Sequence, residues 1–364
     1  MDRIMPGVIA VLFGSMALMV AFVPLVVLSY RRRGGFSALR MTAWVALLFS
    51  VMGLWAYTLL PLPDGDDFRC VGVVPNPFED VVDIARLQAE HGGSLLANAA
   101  VQQLALNVLL FLPLGFFVRA LFDRGIAVAI GAGALVSLSI ELTQLTGVWG
   151  LFHCAYRVFD TGDLVSNTVG AALGSLAALL VVRRGRGGGS ATAARPVTSG
   201  RRLLAMLVDL ATVSLTAAGL SVLVNTAILA LVGDEAVLAV SDAVAAGATL
   251  VAIGAQAVSV MAGGVTLGER AVLIDVREHR APRWPWRAVR FLAGIGGYSL
   301  LALLGAAGGA AAAVLAVASL VAAFTTRGHR GLAQAVAGMD AVDRNAARES
   351  VPVVGGSEPV STSR

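Results

Sequence analysis

Polar and ionisable residues interrupt long apolar runs in the first half of the chain. They are Asn107 with Pro113 and Gly115, Glu141 with Gln144, Arg157, Asp160 with Asp163, and Asn167. Charged groups at bilayer depth are costly, so they face a protein interior or a wet cavity and mark functional sites. Gathered carboxylates and amides could bind a polar ligand, transfer protons or hold a hard metal ion. These residues are therefore the candidates for the functional site.

Most of these residues also have a structural interpretation, which stays open. Asn167 could join two helices through a hydrogen bond. Asp160 or Asp163 could cap a helix N-terminus, and Arg157 could pair with either of them. Glu141 is different, because a carboxylate buried in lipid has no routine structural task. We therefore assign function first to Glu141.

Metal binding and enzyme chemistry are weaker alternatives. The carboxylates and Asn167, with His153 as one nitrogen donor, would suit a hard divalent cation. The sequence carries no tight ligand motif, however, so we predict no metal and no cofactor. It also shows no nucleophile with a partnered base, which places enzymatic catalysis last among the functions.

The composition is that of a membrane protein. Of the 364 residues, 57% are hydrophobic and 14% are charged, and the mean hydropathy is +0.80. Several apolar runs reach the roughly 20 residues that a helix needs to cross a bilayer, without the alternation of a barrel strand. We predict an all-α, polytopic, integral membrane protein. The net charge of +4 indicates no nucleic-acid partner, because the arginines cluster in loops beside apolar runs.

Nine spans fit the apolar runs and the arginine clusters when the N-terminus lies outside. They cover about residues 8–29, 41–60, 104–121, 126–148, 163–182, 203–232, 244–263, and a hairpin within 291–326 that turns near Gly305–Gly309. The segment 61–103 is then outside and carries a predicted surface helix at about 78–91. This segment is acidic and contains Asp64, Asp66, Asp67, Glu79, Asp80, Asp83 and Glu90.

These features divide the chain into two membrane domains. Residues 1–182 contain spans 1–5, and residues 201–342 contain spans 6–9. Residues 183–200 are rich in Arg, Gly and Ser, which is typical of a flexible cytoplasmic linker. Residues 343–364 have the composition of a disordered cytoplasmic tail.

In this topology the candidate residues share the outer third of the bilayer. Glu141, for example, precedes the interfacial Trp149 by eight residues, which is roughly 12 Å along a helix. A cavity open to the outside would accommodate the set. Cys70 and Cys154 also fall outside, where disulfides persist. A bridge between them would close this cavity, and two unpaired thiols fit the sequence equally well.

Three motifs in the first half resemble the VanZ-like family. They are NVLLFLPLGF (107–116), SLSIELTQ (137–144) and YRVFDTGDLVSNTVGAALG (156–174), in suitable order and spacing. The resemblance covers about residues 40–182 and implies a helical membrane protein of the bacterial envelope, in a family linked to resistance to the glycopeptide teicoplanin. The family's motif positions correspond to Asn107, Glu141, Gln144, Arg157, Asp160, Asp163 and Asn167.

The second half resembles the RDD family over about residues 200–342. The motifs are RRLLAMLVD with Arg202 and Asp209, VTLGERAVLIDVREHRAPRWPWRAVR (265–290), and HRGLAQAVAGMDAV (329–342). Gln334 stands where the family signature has its second Asp, so this chain lacks that charge. The resemblance implies a membrane domain for which transport is suspected. From the residues alone, Arg202 and Asp209 could form an ion pair, and 265–290 could lie at the membrane interface.

The sequence supports three hypotheses of function, each with membrane lipids as partners. The first is a multi-pass protein of the bacterial plasma membrane that binds or shields a lipid-linked cell-wall precursor or an amphiphilic antibiotic at the outer leaflet. It would contribute to tolerance of teicoplanin-type glycopeptides. The second is an ion- or proton-coupled transporter that uses the intramembrane carboxylates, although clear internal repeats are lacking. The third is an enzyme that acts on a lipid headgroup.

Overall fold

The computed structural model describes residues 5–63, 68–181 and 193–349. The acids at 64–67, the linker residues 183–192 and the tail beyond 349 lie outside the described residues. The chain groups into two compact units, Met1–Leu18 with Ser37–Gly187, and Met19–Phe36 with Gly188–Arg364. The second unit takes in the later part of the first helix, where Arg201 lies 5.7 Å from the ring centroid of Tyr30.

The first half of the chain is almost entirely helical. In chain order it forms α1 (Met5–Arg33), α2 (Ala38–Leu59), β1 (Val73–Val74), α3 (Glu79–His91), α4 (Ala99–Phe122), α5 (Ile126–Leu145), α6 (Gly147–Gly150), β2 (Phe159–Asp160) and α7 (Thr161–Val181). The surface helix predicted at about 78–91 is α3. Asn98 caps α4 by accepting a hydrogen bond from Ala100 N at 3.0 Å, and Asp123 ends it in the left-handed conformation.

The second half is also helical and adds one short two-stranded antiparallel sheet, whose strands are separated in the chain by four α-helices. It forms α8 (Ser199–Leu231), α9 (Asp234–Gly263), α10 (Leu267–Ala271), β3 (Ile274–Glu278), α11 (Arg283–Leu292), α12 (Ile295–Leu303), α13 (Ala306–Thr325), α14 (Gly331–Ala337), β4 (Met339–Asp343) and α15 (Arg344–Glu349). β3 and β4 pair antiparallel, from Ile274 opposite Asp343 to Glu278 opposite Met339. This pairing brings the segments 265–290 and 329–342 together.

Eight helices among the described residues are long and apolar enough to cross a membrane. They are α1, α2, α4, α5, α7, α8, α9 and α13. The expected all-α membrane architecture is thereby confirmed. The remaining predicted span would be α12, whose nine residues extend roughly 14 Å, about half of a hydrocarbon core of roughly 30 Å. The count of nine spans and the outside N-terminus stay predictions.

The predicted hairpin within 291–326 differs from the observed one in its first arm. The turn lies where it was expected, at Gly305, whose φ of 61° is readily adopted by glycine. The helix that precedes this turn is itself interrupted at Ala293–Gly294, which separates α11 from α12. The amphipathic α11 therefore does not continue into an uninterrupted span.

Close packing of α4 against α7 is the structural centre of the first unit. Added Cβ atoms at Gly115, Gly170 and Gly174 would collide with main-chain atoms of Ala171, Val108 and Leu112, respectively. Small residues at a helix crossing allow backbones to approach in this way inside a membrane. A buried apolar cluster of Leu54, Phe111 and Ile140 joins α2, α4 and α5 beside this crossing. These contacts fix the helices that carry the candidate residues.

Candidate functional site

The beginning of α7 is anchored to the segment that precedes α3. β1 and β2 pair in parallel, with Val73 opposite Phe159 and Val74 opposite Asp160. The hydroxyl of Thr161 also donates to the carbonyl oxygen of Val74 at 3.2 Å. This pairing, two residues from each strand, places the segment between α2 and α3 next to the N-terminal end of α7.

Asp160 and Asp163 occupy this anchored end with different partners. Asp160 Oδ1 accepts a hydrogen bond from Gly162 N at 2.7 Å, as an N-cap would. Asp163 Oδ1 accepts from Asn107 Nδ2 of α4 at 2.6 Å. The structure therefore joins Asn107 and Asp163 directly, and it gives Asp160 a capping contact as well as a place in the site.

Glu141 of α5 is connected to the same end of α7. Its side chain is 3% exposed, and Oε2 accepts a hydrogen bond from the backbone N–H of Asp160 at 3.0 Å. A backbone amide is a neutral donor, so this contact orients the carboxylate without neutralising its charge. Glu141 is therefore hydrogen-bonded to the backbone of Asp160, whose carboxylate lies within 4.8 Å of that of Asp163.

A third aspartate, Asp80 of α3, completes an acidic cluster that we call the carboxylate cluster (Asp80, Asp160 and Asp163). One carboxylate oxygen from each residue lies within 4.8 Å of the others. A Cβ at Gly162 would lie 3.0 Å from Asp80 Oδ2 and 3.1 Å from Asp160 Oδ1. Burial raises the pKa of Asp80, and the charges of Asp160 and then Asp83 raise it further. Such a cluster favours a cationic or hydrogen-bond-donating ligand.

Asp80 was not among the candidate residues that the sequence identified. It appeared there only as one of seven acids in the outer segment, with nothing to distinguish it. The first turn of α3 carries both Glu79 and Asp80, and the sequence pattern does not separate the two. The tertiary contact that selects Asp80 depends on the two-residue strands β1 and β2, which are too short to be recognised from sequence pattern.

The chemistry of the carboxylate cluster would also suit a hard divalent cation, which prefers carboxylate oxygens. Three monodentate oxygens are fewer than the six to eight that Ca²⁺ takes, so the remainder would have to be water or ligand atoms. The other described group of suitable residue types is Cys70, His153 and Cys154. Its cysteines form a disulfide, so they are not thiolate ligands.

Gln144 and Arg157 donate hydrogen bonds to the C-terminal end of α2. Gln144 Nε2 and Arg157 Nη1 both donate to the carbonyl oxygen of Thr58, at 2.6 and 2.8 Å. Tyr156 adds a hydrogen bond to the next carbonyl, that of Leu59, at 3.0 Å. The last carbonyls of a helix have no partner within it, and cationic side chains satisfy them well. Arg157 thus binds backbone carbonyls where an ion pair with Asp160 or Asp163 was the structural expectation.

Asn167 lies deeper between α7 and α5. Its side chain is 5% exposed, and Nδ2 donates to the hydroxyl of Ser137 at 2.9 Å. This contact has the form of interhelical hydrogen bonding in membranes. Ser137, which the sequence did not single out, is its partner. Asn167 Oδ1 has no hydrogen-bond partner among the described residues.

The extramembrane segments beside the carboxylate cluster are linked covalently. Cys70 and Cys154 form a disulfide, with their Cα atoms 5.7 Å apart. The ring of Phe68 packs edge-on against Phe152, with centroids 5.8 Å apart. The disulfide connects the segment before α3 with the loop before α7, and so constrains the elements that carry Asp80 and Asp160.

The second unit contains a separate buried polar cluster around Glu269 of α10. Glu269 accepts hydrogen bonds from Arg202, Arg290 and Gln334, and Arg202 also donates to Gln334 Oε1 at 2.5 Å. Burial alone would raise the pKa of Glu269, but the charges of Arg290 and Arg202 outweigh it and lower the pKa to about 2. Gln334 thus bridges the two charged partners, although it lacks the charge of an aspartate.

Asp209 is not paired with Arg202, contrary to the expectation from sequence. Its Oδ1 accepts from Gly268 N at 2.6 Å and from Gln256 Nε2 at 2.9 Å, and Oδ2 accepts from the hydroxyl of Thr266 at 2.7 Å. Seven residues of helix separate Arg202 from Asp209 by roughly 10 Å, whereas Glu269 lies within direct reach of Arg202. The arginine therefore takes the nearer carboxylate.

Comparison with known proteins supports the VanZ-like resemblance of the first half of the chain. Residues 47–182 match the family model described as VanZ/LLP1. The match includes all seven candidate residues of the first unit, and it ends before α8. Searches of curated proteins and of solved structures give no significant match. The chain is thus a membrane protein that is similar to the VanZ-like family over residues 47–182.

Proposed function

We propose that this chain is a multi-pass protein of the bacterial plasma membrane whose VanZ-like half binds an amphiphilic ligand at the outer leaflet. In this role it contributes to tolerance of teicoplanin-type glycopeptides. The observation that carries the proposal is the convergence of Asp80, Asp160 and Asp163, with oxygens within 4.8 Å, beside the buried Glu141. A negatively charged group of this kind can accept hydrogen bonds from the cationic and polar groups of a ligand.

The charge of the cluster favours one kind of ligand over another. An amphiphile that carries amine and amide groups would supply the cation and donors that carboxylates bind directly. A lipid-linked cell-wall precursor carries phosphate, and like charges repel, so it would need a divalent cation between its phosphate and the carboxylates. We therefore propose direct binding of an amphiphilic antibiotic, with the cell-wall precursor as the cation-dependent alternative.

The experiment uses a bacterial host that lacks this protein, complemented at matched membrane abundance. The complementing chains are the normal protein, Asp163→Asn, and Asp83→Asn as the control. Asp83 lies on α3 near Asp80 but pairs with Arg86 at 2.5 Å on the surface. We expect the normal chain and Asp83→Asn to restore tolerance of a teicoplanin-type glycopeptide, and Asp163→Asn to fail. Full restoration by Asp163→Asn would refute the proposed site.

A second candidate function is ion- or proton-coupled transport. Its specific support is that Glu141 and Asp209, both buried within candidate spans, accept hydrogen bonds from neutral donors. Carboxylates without a fixed counter-ion can change their charge during a transport cycle. If loss of the protein altered only sensitivity to ionophores or salt, and not to glycopeptides, this function would replace the first.

We also propose that residues 201–342 form an RDD-like domain. Three segments suggested this resemblance from sequence, and the proposal is supported by the contacts among them. Arg202 of the first segment, Glu269 of the second and Gln334 of the third are mutual hydrogen-bond partners. A family motif often consists of residues that are far apart in sequence and meet in one buried cluster, as these three do.

A further inference from the structure

The second unit contains a cavity of about 490 Å³ that has no part in the function proposed for the VanZ-like half, although residues of the RDD-like segments, Arg202, Asp209 and Arg290, lie on its wall. Its walls come from α8, α11, α12 and α13. Most of the lining is apolar and includes Leu203, Leu207, Phe291 and Leu315. The volume falls within the range of roughly 300–1,000 Å³ typical of small-molecule sites. The cavity is large enough to hold an alkyl chain.

Arg202 and Arg290 place positive charge on the wall of this apolar cavity. Arg290 is only 2% exposed, and its Nη2 is used by Glu269. Arg290 Nε and Nη1, and Arg202 Nε, are buried and have no hydrogen-bond partner among the described residues. Buried polar groups are normally hydrogen-bonded, so these three donors indicate an acceptor that the chain itself does not supply.

The ion-pair contacts of the two arginines point in the same direction. Glu269 is the carboxylate that both guanidinium groups share, and Gln334 adds an acceptor but no charge. Asp209, the other carboxylate on this wall, makes its hydrogen bonds to Gly268, Gln256 and Thr266. An anion beside Arg290 would therefore bind donors that neither carboxylate uses, and planar guanidinium groups bind carboxylate or phosphate oxygens well.

Asp209 also lines the cavity, so its effect on an anion has to be considered. Both of its oxygens are occupied, by Gly268 N and Gln256 on one and by Thr266 on the other. The carboxylate oxygens of Asp209 thus have hydrogen-bond partners within the protein, whereas three N–H donors of the arginines have none among the described residues. Donors without acceptors are what an anion would bind.

We infer that this cavity binds an anionic amphiphile. Its negatively charged headgroup lies beside Arg290 and Arg202, and its alkyl chain lies among the apolar side chains of α8 and α13. A membrane phospholipid whose headgroup carries a net negative charge is the ligand of this chemistry that the surroundings supply. The site belongs to the second unit and does not depend on the function proposed for the VanZ-like half.

The test is lipid retention by the purified full chain, measured by native mass spectrometry from a neutral detergent. The probes are phosphatidylglycerol, phosphatidylcholine with the same acyl chains, and inorganic phosphate. Ala316 of α13 lines the cavity, so Ala316→Phe occupies part of it and leaves both arginine residues in the sequence unchanged. Ala310 on the same helix is exposed and does not line the cavity, which makes Ala310→Phe the matched control.

We expect phosphatidylglycerol to be retained about tenfold more strongly than phosphatidylcholine, since one charge-assisted contact is worth roughly that factor. Ala316→Phe should remove this preference, and Ala310→Phe should keep it. Equal retention of the two lipids would overturn the inference, because the net negative charge of the headgroup would then make no difference to binding. Binding of inorganic phosphate as strong as that of the lipid would overturn it as well, since the apolar cavity would then contribute nothing. An unchanged preference in Ala316→Phe would place the anionic lipid elsewhere.

Discussion

Replacing Glu269 with glutamine is expected to destabilise the second unit more than any surface substitution there. Glu269 is 1% exposed and is the shared partner of Arg202 and Arg290. Glutamine keeps the size of the side chain and part of its hydrogen bonding, but it removes the charge. Two buried guanidinium groups would then share no anion, which is the situation in which breaking a buried ion pair is costly.

The magnitude follows from the pKa of Glu269, which the two arginines lower from 4.5 to about 2. This difference corresponds to roughly 3 kcal/mol of unfolding free energy at neutral pH. It agrees with the roughly 3–5 kcal/mol lost when one partner of a buried pair is removed. Because the folded-state pKa is the lower one, the contribution is fully present above pH 4.5 and is lost as the pH falls toward 2.

The assay is thermal unfolding of the purified full chain in detergent at pH 7, with Asp340→Asn as the control. Asp340 pairs with His279 and Arg330, but its side chain is 49% exposed, so this loss should stay below about 1 kcal/mol. We expect Glu269→Gln to lower the Tm of the second unit by roughly 6–12 °C. Equal shifts for the two variants, or no shift for Glu269→Gln, would refute the assignment of Glu269 as the electrostatic centre.

Two further predictions concern the first unit. A side chain at Gly174 would collide with the backbone of Leu112, so Gly174→Leu should separate α4 from α7 and cost roughly 1–3 kcal/mol or more. Gly131→Leu is its control, because a Cβ there has nothing within 4 Å, and equal loss of monodisperse protein in both would contradict the packing argument. Asp80→Asn should raise the Tm at pH 7 even as it weakens ligand binding, because burial and neighbouring acids raise the pKa of Asp80 and make its ionised form unfavourable. The gain should shrink as the pH falls through that raised pKa, whereas a gain of equal size for Asp83→Asn would show a general charge effect.

The sequence predicted that several of the polar residues lie close together because bilayer physics constrains where they can be placed. Charged residues inside apolar runs have few tolerable positions, and the connection of Glu141, Asp160 and Asp163 follows from that constraint. The particular pairs did not follow from it. Asn107 could have contacted any neighbouring helix, and only the close packing of α4 and α7 places it beside Asp163.

Other parts of the site depend on contacts that leave little trace in the sequence. Arg157 was expected beside an acid, but the unpaired carbonyls at the end of α2 attract it more closely. Gln334 lacks the charge of the family's second Asp, yet its amide bridges the two charged groups by accepting a hydrogen bond from Arg202 and donating one to Glu269. Arg157 is thus bound by backbone carbonyl oxygens, and Arg202 is bound partly by an uncharged amide. Neither partner can be predicted from the pattern of charges in the sequence.

The disulfide between Cys70 and Cys154 has a consequence for how the protein is made. The two residues are 84 positions apart, and α4 and α5 lie between them along the chain. During synthesis Cys154 leaves the ribosome only after both helices, so a chain halted within either one has no partner for Cys70. A chain that carries the bond encloses α4 and α5 in one covalent loop, because the bond joins the segment before α3 to the loop before α7.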